Sequence, residues 1–382
     1  MTHRERVRTA LEHREPDRVP IDLGSSVNTG IVKKAYDSLK AYLGIESPTV
    51  VFDKSFQLAR VAVDEELLER FGVDLRGVFP RPRDAWRDKV FPGDCYEDEW
   101  GLVRRPAANG LYYDVVKSPF SQGITASGLD RFEWPDGRDA SRVKGVKEEI
   151  QEYHRKGYAV VVNIRGGFIG KSQLMRGFEG WYLDMAMNPE AVCAIMDRIL
   201  KYQIDLTWNM LEGVGDMVDV VVYGDDIGTQ EGPMVSPRAY RKYLKPRQAE
   251  LIDAIRQRTS AKIHYHTCGA VYPFLADMVE IGVDILNPVQ VSANGMDPAR
   301  LKREFGDRLS FWGGVDTQRT LPYGSPDEVR AEVRLRLAQM AEGGGYVLNS
   351  VHNIQADVPP ENIVAMFEAA LEYGDYATKG WL

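Results

Sequence analysis

From Tyr158 onward the chain alternates short apolar runs with longer stretches of helical periodicity. The runs are YAVVVNIRG from Tyr158, MVDVVVYGDD from Met217, AKIHYHTCG from Ala261, VDILNPVQ from Val283, LSFWGGVD from Leu309 and GYVLNSVHN from Gly345. Each is rich in β-branched or aromatic residues and closes among Gly, Asn, Asp or Pro, as strands buried on both faces of a parallel sheet do. Two earlier runs, VPIDLGS from Val19 and GVDLRGVFP from Gly72, bring the candidate strands to eight. Between them, SPRAYRKYLKPRQAELIDAIRQR and SPDEVRAEVRLRLAQMAEGG open on Ser-Pro, an N-cap followed by proline at the first helical position. PPENIVAMFEAALEYG opens on Pro-Pro and closes on Gly374. Eight alternating β and α units predict a closed (β/α)8 barrel in the α/β class. The rival is an open doubly wound sheet, and no GxGxxG turn or Walker motif marks its nucleotide site.

Residues of about 92–135 break the alternation. CYEDEWGLVRR and LYYDVVK flank PAANG and predict a β-hairpin inserted before the third barrel strand, a lid or dimer surface within one barrel domain spanning 1–382. Met1–Arg14 predicts a helical extension packed on the outside of the barrel.

Composition narrows the function classes. The 48 basic and 56 acidic residues leave a net charge of -8, which argues against a nucleic-acid or anionic-membrane surface. No apolar run reaches the roughly 20 residues that span a bilayer, and the charged N-terminus lacks the apolar core of a signal peptide. Three scattered cysteines make no disulfide framework, so a reducing cytoplasm is expected.

A barrel enzyme carries its active site at the C-terminal ends of its strands. Those ends collect Asp22, Arg165, Tyr223, Asp225, Asp226, His264, His266, Cys268, Asn287, Gln290, Asp316 and the Asn349–Asn353 segment with His352. Alternation along a strand sends His264, His266 and Cys268 to one face. An imidazole and a thiolate two residues apart suit zinc, and catalytic zinc takes three protein ligands and an open position. His352 is the candidate third ligand, since His3, His13 and His154 lie in polar helical stretches. Bland readings stand beside these. His266 and Cys268 fit a packed, hydrogen-bonded interior as well as a metal site, and His264, one strand step deeper, fits packing. Asp225 and Asp226 fit caps of the following loop, Asp316 fits a ligand of its own turn, and Arg165 fits either an anion contact or an ion pair.

Read in order, RERVRTALEHREPDRVPID, YGDDIGTQEGPMVSPRAYRKYLKPR, HTCG, ILNPVQ, FWGGVDTQ and VLNSVHNIQADVPPENI resemble the uroporphyrinogen decarboxylase superfamily over nearly the whole chain. That superfamily includes cobalamin-linked and coenzyme M methyltransferases. Two departures choose the branch. The decarboxylase carries an arginine-rich RQAGRY-type segment after its first strand, where this chain reads IDLGSSVNTG. The methyltransferases bind zinc through His-x-Cys and a later cysteine, where this chain shows His352. A His2Cys site is less anionic than a HisCys2 site, hence a stronger Lewis acid and a poorer thiolate activator.

The resemblance therefore implies methyl transfer from a small methoxylated substrate to a corrinoid protein or thiol acceptor. Zinc would sit on His266, Cys268 and His352, cobalamin would arrive on a partner, and the chain would pair as a homodimer. In this expectation Asp225, Asp226 and His266 do the chemistry, while Asp22, Arg165, Tyr223, Asn287, Gln290 and Asp316 hold the substrate. The alternative is a metal-free decarboxylase or lyase using Asp22, Arg165 and the Asp pair on a small acidic substrate. A zinc hydrolase would need no acceptor protein, and an accessory protein would have a degraded site.

Overall fold

The computed structural model describes residues 1–53, 60–108, 112–164 and 166–381. Strands β1 (Val50–Asp53) and β2 (Arg60–Ala62) form a short antiparallel ribbon. The main sheet is parallel and runs β3 (Leu75–Val78), β8 (Ala159–Asn163), β9 (Val220–Gly224), β10 (Lys262–His266), β11 (Ile285–Asn287), β12 (Ser310–Trp312) and β13 (Tyr346–Val347), each beside the next. Between β3 and β8 an antiparallel meander is inserted: β4 (Lys89–Phe91), β5 (Cys95–Glu97), β6 (Val103–Pro106) and β7 (Tyr113–Lys117).

The run from Val19 closes the curl without forming a regular strand. Ile21 pairs in parallel with Leu348, Asp22 N–H donates to Leu348 O (3.0 Å), and Asp74 N–H donates to Ile21 O (2.9 Å). The segment therefore joins β13 on one side to the start of β3 on the other, completing a (β/α)8 barrel. Its pairing stays short because Pro20 has no N–H to donate.

A repeated Val-Asp pair sets the register at the bottom of the barrel. Asp74, Asp219 and Asp284 each stand just before a strand. Asp219 donates its N–H to Val160 O (2.9 Å) and accepts Val160 N–H on its carboxylate (3.0 Å). Asp74 makes the same exchange with Ile21 and Asp284 with Ile263. A two-point contact at each strand start forbids the one-residue slip that would turn the inward side chains outward.

The expectation of an outer N-terminal helix is corrected. Helix α1 (His3–Leu11), capped by a Thr2–Glu5 box, packs Val7 and Leu11 into one cluster with Leu75, Ala159, Val161, Val220, Val222, Ile285, Trp312 and Val347. These are the inward residues of the strands, so α1 plugs the lower mouth. Arg6, Arg18 and His3 converge on the buried Asp74 (2.7–2.8 Å), and Arg4 on Asp219 (2.9 Å). The helix carries two apolar residues for the barrel floor and cations for its aspartates, which a plain periodicity reading does not separate from an outer face.

The insertion also differs from the single hairpin expected. CYEDEWGLVRR folds back on itself, because Asp98 accepts from Trp100 N–H and Leu102 N–H and tightens a turn at Gly101. The predicted helix from Ser236 contains a π-helical stretch, Tyr240–Leu244, before Lys245–Arg256; Pro246 cannot donate within the helix, and the ladder widens there. Ser325 and Glu328 form a capping box on Pro326–Met340. Among the described residues no helix is long and apolar enough to cross a membrane.

Candidate metal site

Pairing of β10 with both neighbours fixes the site's central strand. His264 lies beside Val222 and Ile285, and His266 beside Gly224 and Asn287, with Tyr265 on the opposite face. The two histidines face the barrel axis, while Tyr265 joins the outer core between strands and helices.

At the upper end of β10, His266 Nε2 lies 3.4 Å from Cys268 Sγ, and the His352 ring stands 5.5 Å from the His266 ring. Ligand atoms of His266, Cys268 and His352 all lie within 4.8 Å of one another. Zinc–sulfur and zinc–nitrogen bonds of about 2.3 and 2.0 Å at a tetrahedral angle set N and S roughly 3.5 Å apart. The His266–Cys268 pair already has that spacing, so the residues present fit zinc.

The donor set is also oriented. His266 Nδ1 is 2.6 Å from Asn287 Oδ1, and Asn287 Nδ2 donates to Trp312 O (3.2 Å). The second contact fixes which end of the amide is oxygen. His266 must then carry its proton on Nδ1, leaving the Nε2 lone pair directed at the cluster. Burial lowers the imidazole's basicity, which also favours this neutral tautomer. Burial and then Asp226 push the Cys268 thiol well up; a cation at Sγ would reverse that preference.

His352 sits on a loop stapled to the first one. Asn349 Nδ2 donates to Asp22 O (2.6 Å), and Asn353 accepts from Gly30 N–H (2.6 Å) and donates to Val27 O (3.0 Å). The first loop enters the barrel mouth because β3 has Gly77 where they cross; a Cβ there would lie 2.3 Å from Ser25 O.

The two aspartates after β9 separate. Asp226 Oδ1 accepts from Cys268 N–H (2.7 Å) and stands 4.0 Å from His266 Nε2, with its side chain 54% exposed. Asp225 instead caps the helix Phe168–Arg176, accepting from Ile169 N–H (3.0 Å) and Gly170 N–H (2.8 Å). It packs on Gly167, where a Cβ would lie 1.8 Å from Asp225 Cγ. Burial raises the Asp225 carboxyl to about 7 against the pull of those amides. Asp225 thus caps an earlier helix rather than the loop that follows it.

The remaining expected residues fall in three places. Gln290 accepts from Gly269 N–H (2.7 Å) and donates to Gln230 (2.7 Å), so it shapes the loop after Cys268. Asp22 is fully buried below, accepting from Ser25 N–H (3.1 Å) and Trp312 Nε1–H (3.0 Å); burial raises its carboxyl. Asp316 accepts from Gln318 N–H (2.7 Å), the contact of its own turn. The structure moves Tyr223 out of the expected substrate set. It pairs with Tyr265 on the outward face, ring centroids 4.8 Å apart, because strand alternation opposes it to the inward Val222. Arg165 lies outside the described residues.

Residues not foreseen also gather here. Gln230 links Gln290 to Gln318 (3.2 Å). Tyr112 lies just before the insertion's last strand, and partial burial, then Cys268 and Asp357, raise its hydroxyl. No local pattern marks Gln230, whose contacts join segments far apart in sequence.

The family model described as Uroporphyrinogen decarboxylase (URO-D) matches residues 112–373, more than half of the chain. The chain is 30% identical to the methylcobamide:CoM methyltransferase MtaA of Methanosarcina barkeri over 41% of its own length and 42% of that protein's. It is 29% identical to a uroporphyrinogen decarboxylase of Pelodictyon phaeoclathratiforme over 35% of its length and 37% of that protein's. In both cases it spans less than half of the relative. A methyltransferase structure from Methanosarcina mazei superposes with a TM-score of 0.64 at 20% identity, covering 98% of this chain and 99% of that one, and supports the fold.

Proposed function

The chain belongs to the uroporphyrinogen decarboxylase family, and from that premise we propose that it is a zinc-dependent methyltransferase. It moves a methyl group from a small methoxylated substrate to a corrinoid protein. The observation that carries this reading is the cluster of His266, Cys268 and His352, with ligand atoms within 4.8 Å of one another and His266 Nε2 left free by the Asn287 contact. Similarity to a methylcobamide:CoM methyltransferase supports the reaction class and the corrinoid partner.

Zinc held by these three residues would supply Lewis acidity at the oxygen that loses its methyl group. The chain's own groups do the rest. Asn287 sets the His266 tautomer and Gln290 holds the Cys268 loop. Asp226, half-exposed beside Cys268 N–H, would pass a proton from solvent to the oxygen that loses its methyl group and leaves as an anion. Asp225 acts through position, tying the end of β9 to the helix that follows Arg165; Arg165 is assigned the substrate's polar end. In this reading the chain pairs as a homodimer.

The test is metal content by plasma mass spectrometry, followed by demethylation assays with a reduced corrinoid acceptor. About one zinc per chain is expected in wild type, lost in His266→Ala, Cys268→Ala and His352→Ala. A wild type purified without chelators that holds no zinc, or one whose turnover survives chelation, refutes the proposal and favours the metal-free decarboxylase or lyase reading.

A further inference from the structure

Cys268 lies beyond the end of β10, so its side chain is aimed by the two peptides that flank its Cα rather than by strand pairing. The first donates Cys268 N–H to Asp226 Oδ1 (2.7 Å). The second donates Gly269 N–H to Gln290 Oε1 (2.7 Å). Gln290 is buried and donates from Nε2 to Gln230 Oε1 (2.7 Å). Gln230 in turn donates to Ser292 O (3.0 Å) and Gln318 Oε1 (3.2 Å). This relay has one direction. Ser292 O can only accept and Gly269 N–H can only donate, so each amide between them has a single orientation that pairs both of its ends. Gln230 is itself held at the tip of a small hairpin: Gly228 bridges to Pro233, Thr229 N–H donates to Gly232 O (2.7 Å), and Asn294 N–H donates to Gln230 O (2.9 Å). The hairpin lies directly on the Cys268 turn. Ala270 N–H donates to Thr229 O (2.7 Å), and a Cβ on Gly269 would lie 2.5 Å from Gly228 C.

We propose that Gln230 is a positioning residue for the metal ligands: it fixes the orientation of the Gln290 amide and, through Gly269 N–H, the direction of Cys268 Sγ. The inference rests on the zinc reading above and adds how the ligand geometry is held. Without an acceptor at position 230, the Gln290 amide is free to turn. Its Nε2 then faces Gly269 N–H, and a buried donor is left unpaired. The peptide after Cys268 rotates to relieve this, and Sγ leaves its 3.4 Å spacing from His266 Nε2. Gln318 is exposed and is not needed for the effect, because Ser292 O orients the Gln230 amide on its own.

The test loads the full chain with cobalt(II) in place of zinc and reads the thiolate-to-cobalt charge-transfer band. Zinc affinity, by competition with a chromogenic chelator, and the thermal midpoint are measured alongside. Gln230→Leu is expected to weaken zinc binding about fivefold, one neutral hydrogen bond's worth, and to shift or weaken the band. Gln230→Glu keeps an acceptor for Gln290 and should retain the wild-type band, and so should Gln318→Ala. A purely structural role would lower the thermal midpoint of Gln230→Leu and leave its band and affinity at wild-type values. That result overturns the proposal and leaves the zinc reading standing. So does a band in Gln230→Glu or Gln318→Ala that changes as much as in Gln230→Leu. If the leucine variant does not fold, Gln230→Met, closer in shape, is read in the same way. Wild type that binds neither cobalt nor zinc overturns the zinc reading and this inference together.

Discussion

Replacing Asn287 by alanine tests the link between β11 and the metal ligands. In the folded chain the amide oxygen takes His266 Nδ1–H at 2.6 Å, while its nitrogen is held by Trp312 O at 3.2 Å. Asn287 is itself fully buried, so no water replaces the lost acceptor without entering the barrel. Removing it frees the ring to rotate and lets the proton move to Nε2, the nitrogen required by the metal. Partners of this kind are worth about 10–100-fold in metal affinity, or about 1.4–2.7 kcal/mol. Asn287→Asp keeps an acceptor and adds charge behind the ring, so it should bind zinc at least as well as wild type. The assay is zinc competition against a chromogenic chelator at fixed pH, with the thermal midpoint measured alongside. Wild-type affinity in a folded Asn287→Ala protein would refute the tautomer argument.

Three further outcomes follow from the packing. Gly167→Ala drives a Cβ into the Asp225 carboxylate, 1.8 Å from Cγ, and should cost about 2–5 kcal/mol from the lost helix cap and overpacking combined. Urea unfolding measures this, and the cost should shrink in an Asp225→Ala background; strict additivity would contradict the contact. Lys302, which donates to Gly344 O at 2.5 Å, is lowered by burial to about 8. Between pH 8 and its ordinary value near 10.4 the unfolded chain binds a proton that the folded chain has released, so this group makes stability rise with pH across that window. Lys302→Met should show a shallower rise than wild type in denaturation at pH 8, 9 and 10, and an identical slope would refute the assignment. Leu11→Ala opens a hole in the barrel floor, where Leu11 is 2% exposed, and should cost about 2–5 kcal/mol; a loss under about 1 kcal/mol in chemical denaturation would contradict the plug.

The sequence by itself determined the parallel strands and their helices, because burial on both faces leaves β-branched runs and because Ser-Pro caps act locally. Alternation along the backbone also puts His264 and His266 on one face, whereas Cys268 lies beyond the strand, its N–H held by Asp226. Which face turns inward is another matter. Tyr223 sits at a strand end like His266, yet points away from the axis, and only the pairing of β9 with β10 decides this. The same holds for α1, whose apolar pair would suit an outer groove as well as the barrel floor; the aspartates waiting at the strand starts draw its cations inward. Asp225 and Asp226 are adjacent in sequence and chemically identical, and alternation sends one to a helix N-terminus and the other to the cluster. Tertiary structure alone brought His352 to His266, across a barrel closed by Ile21 and Leu348, because that contact depends on how the first and last units meet rather than on any local pattern.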